Sequence, residues 1–150
     1  MDLAFKKRLH EHCSSLIIER IERIQNELNS AQESIANDSK STAGDKHETS
    51  RAMLHLEQEK DALQLADAQK LLRILSQINL VKGSRVQMGS LVQTDKALFY
   101  ISVALGKIEF ENQELFAISP VSPLAQKFLN NTSGDSIAFN STNYSIGDVC

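Results

Sequence analysis

The sequence predicts an α+β chain: a helical hairpin followed by an antiparallel sheet with one short helix. Three observations carry this. Up to about residue 79 the apolar residues recur at helical spacing; beyond Lys82-Gly83 they alternate and become β-branched or aromatic; and the helical part is broken once, by the polar run Asn37-Asp38-Ser39-Lys40-Ser41-Thr42-Ala43-Gly44. With 150 residues there is room for one ordinary domain or two small modules. The expected division is a hairpin over 1–79, with an acidic tip near 38–48, and a sheet domain over 80–150.

The first helix is read from Leu9, Cys13, Ile17, Ile21, Ile24, Leu28, Ala31 and Ile35, a narrow stripe with gaps of four or three and no Gly or Pro. The polar run reverses the chain, because its Ser, Thr, Asn and Asp side chains compete for backbone hydrogen bonds. A second helix follows from about Glu48, with Met53, Leu56, Leu63, Ala66, Leu71, Leu72 and Leu75 as its expected stripe and Glu59 and Lys70 interrupting it. Two such helices joined by a short polar turn pack antiparallel. Each would be on the order of 45 Å long, so the apex is expected to project beyond a small domain.

In the second half, strands are expected around 84–93, 97–105, 107–110, 115–119, 136–139 and 144–149, with breaks at Thr94-Asp95-Lys96, Gly106 and Glu111-Asn112-Gln113. Ser122-Pro123 supplies an N-cap and a proline at the first helical position for one short helix. Gly134-Asp135 marks a turn. Phe99, Tyr100, Phe110, Phe116 and Phe128 are expected core.

Composition excludes several function classes. A net charge of −3 argues against independent binding to duplex DNA, which rests on phosphate neutralisation. No apolar run approaches the roughly 20 residues that span a bilayer, and the N-terminal residues lack a signal peptide's apolar stretch, so a cytoplasmic location and no membrane partner are expected. No Ser/His/Asp set, P-loop or zinc cluster appears, so the chain is not expected to be an enzyme itself. Cys13 and Cys150 are expected to stay reduced, and of His10, His12 and Cys13 at most His10 and Cys13, three apart, share a helix face, which leaves too few ligands for zinc.

One acidic motif stands out, Gly44-Asp45-Lys46-His47-Glu48. Two carboxylates three residues apart are what a capping box at a helix start looks like, and the ligand reading, a pair that carries a divalent cation on a hairpin tip, depends on the rest of the chain. Capping by one oxygen of Asp45 leaves its second oxygen available, so the two roles are compatible.

The segments Ile118-Ser119-Pro120-Val121-Ser122-Pro123-Leu124-Ala125, Leu129, Gly134-Asp135 and Tyr144-Ser145-Ile146, together with Gly44-Asp45-x-x-Glu48, resemble the bacterial Gre transcript cleavage factors over nearly the whole chain. The resemblance implies an antiparallel coiled coil joined to an FKBP-like domain that docks on RNA polymerase. It further implies a hairpin that enters the polymerase's secondary channel. There Asp45 and Glu48 help hold a second catalytic Mg²⁺, shared with the polymerase and not bound stably by this chain alone. Cleavage of backtracked RNA is then the polymerase's own, stimulated by this factor, and a bacterial, monomeric protein is expected. Lys40, Lys46, His47 and Arg51 surround the pair, either as contacts to RNA phosphates or as solvated charges. Family tips carry an apolar residue after the Asp and Asn after the Glu, where this chain has Lys46 and Thr49. Two other readings remain open: a channel-binding regulator without cleavage activity, and a protein-interaction module for a partner other than polymerase.

Overall fold

The architecture comes from a computed structural model that describes residues 1–38 and 45–150, and of residues 38 and 45–47 the backbone alone. Its elements are α1 (Leu3–Asp38), α2 (Asp45–Ser76), β1 (Leu91–Thr94), β2 (Leu98–Ile101), β3 (Gly106–Phe110), β4 (Gln113–Ile118), α3 (Pro123–Phe128), β5 (Ser136–Phe139) and β6 (Thr142–Val149). The helical pair, the short third helix and the sheet are those expected. Asp2 caps α1, its Oδ1 accepting from the Phe5 amide at 2.7 Å. The polar run expected to reverse the chain falls at residues 39–44, outside the described residues.

The chain forms two compact units. One is Ser15–Leu72, and the other joins Met1–Ser14 to Arg73–Cys150. The expected boundary at 79/80 follows chain order, whereas the first turns of α1 and the last turn of α2 cluster with the sheet.

In the helical unit α1 and α2 run antiparallel, since Arg20, Arg23 and Ile24 line one groove with Gln64, Asp67, Ala68 and Leu71. The buried and half-buried side of α1 is the expected stripe, Ile17, Ile21, Ile24, Leu28, Ala31 and Ile35. For α2 the expected stripe holds at Leu71, Leu72 and Leu75, which are covered, and needs correction before them. Met53, Leu56 and Leu63 are 66%, 65% and 70% exposed, and Ala66 is exposed too. The covered side is instead Leu54, Gln58, Asp61, Leu65, Ala68 and Leu72, also at gaps of four and three. Apolar identity misplaced the seam because Gln58 and Asp61 belong to it while Leu56 and Leu63 do not.

In the second unit the strand order is β3-β4-β2-β1-β6-β5. The sheet is mixed where an antiparallel one was expected: β2 and β4 are parallel, Leu98 opposite Leu115 and Tyr100 opposite Ala117. The reason lies in β3. It pairs with β4 through a two-residue turn, Glu111 and Asn112, both with positive φ, and so takes the edge and returns β4 in the direction of β2. Asn140 and Ser141 close the β5–β6 hairpin in the same way. The strand expected over 84–93 shortens to Leu91–Thr94. Gly89 has φ +90°, and a Cβ there would meet Ile78 Cγ2 at 2.8 Å, so the backbone turns where only glycine fits.

Both faces of the sheet are covered. On one, Val86, Val92, Phe99, Ile101, Ala125, Phe128, Ile146 and Val149 form a core, with the Phe128 ring 5.1 Å from Phe99 and 5.7 Å from Tyr144. Ser122 caps α3 as expected, its hydroxyl accepting from the Ala125 amide at 3.3 Å. On the other face the first turns of α1 lie against the strands, Phe5 and His12 against Phe110 at 5.5 and 5.0 Å. Arg8 forms an ion pair with Glu111 at 2.7 Å, which holds the side chain of that left-handed turn residue.

Asp61 is 4% exposed in the α1–α2 seam. An aliphatic side chain covered at that position adds about 1–2 kcal/mol of apolar burial. Asp61→Leu is therefore expected to raise unfolding free energy by about that amount in urea denaturation, and an unchanged or lowered midpoint would contradict this account of the seam.

Candidate functional site

Helix α2 begins at Asp45, so Asp45 and Glu48 both lie on its first turn. Positions three apart on a helix are neighbours, about 5–6 Å between Cβ atoms, which is within the span of two ligands to one small cation. Glu48 is exposed, as is Arg51 one turn on. The side chains of Asp45, Lys46 and His47 lie outside the described residues, as do Lys40 and Gly44 entirely. Of the sequence-derived set, then, Glu48 and Arg51 are placed with their side chains and Asp45 and Lys46 by backbone position.

The donor chemistry suits Mg²⁺, which takes oxygen ligands, but the donor number does not. Mg²⁺ is six-coordinate, and two carboxylates supply only part of that shell. Among the described residues no group of three or more His, Cys, Asp or Glu is gathered. A cation held by Asp45 and Glu48 needs further ligands from another molecule or from water.

The remaining polar residues singled out in the sequence serve the fold. Ser119 Oγ accepts from the Val121 amide at 3.3 Å, and Asp135 Oδ2 accepts from the Thr132 amide at 2.8 Å beside Gly134, whose φ is +93°. Asp95, which no motif marked, accepts from the Ser145 amide at 2.8 Å, and that bond, with Lys96 beside it, holds its carboxyl below the usual range. Cys13 and Cys150 are both free and buried. Burial pushes the Cys13 thiol up to about 12, far from the range of a reactive thiolate. No described helix is long and apolar enough to cross a membrane.

His10 and Tyr100 form a second cluster that sequence spacing missed, because the two residues lie 90 positions apart. The fully buried Tyr100 hydroxyl is 2.7 Å from His10 Nδ1. Burial raises the tyrosine and lowers the histidine, so the phenol keeps its proton and donates it to a neutral imidazole. A histidine held below its unfolded value stabilises the fold fully above about pH 6.5, and that contribution is lost as pH falls through the folded value. Stability measured by urea denaturation is expected to fall between about pH 7 and pH 5, and less steeply for His10→Gln; equal slopes would show that His10 does not carry the effect.

No family model matches the sequence, and no curated protein does. Among solved structures the chain is similar to GreA factor homolog 1 (Gfh1) of Thermus thermophilus, at 13% identity and a TM-score of 0.37, over 91% of this chain and 94% of that one. A structure of the transcription factor Gfh1 gives 15% and 0.37 over 91% and 92%, and Thermus aquaticus Gfh1 gives 14% and 0.34 over 90% and 92%. At such identities and scores the likeness assigns no role to any residue, and what it is similar to is a chain of this length in a Gre-related protein.

Proposed function

We propose that this protein is a Gre-type transcription elongation factor, an accessory protein that binds RNA polymerase through its secondary channel and stimulates the polymerase's own cleavage of backtracked RNA. The observation that carries the reading is the coincidence of Gly44-Asp45-x-x-Glu48 with the start of α2 in a helical hairpin, with Glu48 exposed. The order of modules and the Ile118–Ala125 segment support it. Asp45 and Glu48 contribute two carboxylates, and polymerase ligands complete the shell that this chain leaves open. When bound, a second Mg²⁺ supplies water activation and leaving-group stabilisation for in-line attack on a phosphodiester. Lys40, Lys46 and Arg51 contact the RNA 3′ segment through its phosphates. The chain alone has no nuclease activity in this reading.

Lys46 and Thr49, where family tips carry an apolar residue and Asn, favour one second reading: occupancy of the channel without cleavage. Stalled elongation complexes made with the cognate polymerase separate the two. The wild-type chain is expected to accelerate RNA cleavage, and Asp45→Ala with Glu48→Ala to lose roughly 100-fold of that rate while still competing for the channel. Full stimulation by the double variant would overturn the metal role. Inhibition of transcription by wild type without any cut RNA would establish the second reading instead.

A further inference from the structure

Helix α2 carries a second stripe on its outer side. Ala52, Leu56, Glu59, Leu63, Ala66 and Lys70 follow at gaps of four and three, and all are exposed. At 3.6 residues per turn this stripe lies roughly 160° around the helix from the seam that contains Asp61 and Ala68, so α1 cannot cover it. Exposed Leu and Met in a row, Met53 beside Leu56 and Leu63, are not explained by the hairpin's own packing.

The order of residues along the stripe says what fits it. Glu59, Leu63, Ala66 and Lys70 are symmetric about the point between residues 64 and 65, with opposite charges at the ends and apolar residues inside. If two copies of α2 lie antiparallel about that point, Glu59 of each meets Lys70 of the other, and Leu63 of each meets Ala66 of the other. A parallel alignment would set Glu59 against Glu59 and Lys70 against Lys70. Neither Glu59 nor Lys70 takes part in the ion pairs among the described residues, which are Arg8–Glu111, Lys96–Asp95 and Lys107–Glu114. Their charges are thus available to a second chain.

We infer that the outer stripe of α2 is a self-association surface, on which two copies of this chain pair antiparallel about a two-fold axis. A two-fold interface is self-complementary by construction, and this charge order meets that condition. Alanine at position 66 lets the facing Leu63 approach, while the aliphatic stem of Lys70 extends the apolar contact. The contact is small, so the dimer is weak, with a dissociation constant on the order of 0.1 mM. This departs from the monomer expected from sequence.

Sedimentation equilibrium of the full chain without polymerase, from about 10 μM to 1 mM, tests the pairing. Wild type is expected to shift from monomer to dimer across that range. Glu59→Lys sets like charges opposite one another at two symmetric points, and it is expected to weaken association at least about 10-fold with helix content unchanged by circular dichroism. Glu59→Lys with Lys70→Glu restores the pattern in reverse and is expected to associate as wild type does. A wild-type chain that stays monomeric at 1 mM, a Glu59→Lys variant that dimerises normally, or a double variant that fails to recover would each overturn the proposal. Its failure would leave the elongation-factor reading untouched, because no polymerase enters the measurement.

Discussion

A helix in a two-helix hairpin can bury one side only, and α2 offers two. Only one of them meets the aliphatic stripe of α1. The covered side of α2 therefore includes Gln58 and Asp61, while Leu56 and Leu63 stay exposed. A side chosen on apolar content alone would have turned the stretch from Met53 to Ala66 by nearly half a revolution. Burial of Asp61 makes the seam less stable than an all-aliphatic one and, as polar residues in helical seams do elsewhere, restricts the registers that α2 can adopt.

The sequence made α1 legible because one pattern with one period runs through it without competition. Its partner changed without a local mark: Phe5 and His12 lie against Phe110 of the sheet, while the same stripe further on faces α2. Nothing in a 3–4 repeat says what covers it. Local chemistry also announced α3, since Ser122-Pro123 is a helix start on its own terms. The parallel pairing of β2 with β4 was not legible, because alternation identifies a strand and not its neighbour. One turn built on residues other than glycine, Glu111-Asn112, decides that pairing, and Arg8 holds it from more than a hundred positions away.

For the candidate site, spacing placed Asp45 and Glu48 on one helical turn and the fold agrees on the turn, with Glu48 in solvent. The choice between a capping role and a ligand role was never in the spacing, since both need carboxylates at a helix start. Two oxygen-bearing side chains supply only part of a six-coordinate Mg²⁺ shell, so the ligand role belongs to the proposed function, in which a partner would complete that shell. By contrast, the His10–Tyr100 contact joins residues that no motif connects, and its chemistry serves stability rather than a site.

The most direct measurement replaces the catalytic Mg²⁺ of the cognate RNA polymerase with Fe²⁺ and maps where hydroxyl radicals generated there cut this chain. Cuts centred on residues near Asp45 and Glu48 are the predicted result, because the radicals reach only the backbone beside the metal. Cuts confined to the sheet domain, or an uncut chain in a complex shown to have formed, would contradict the account.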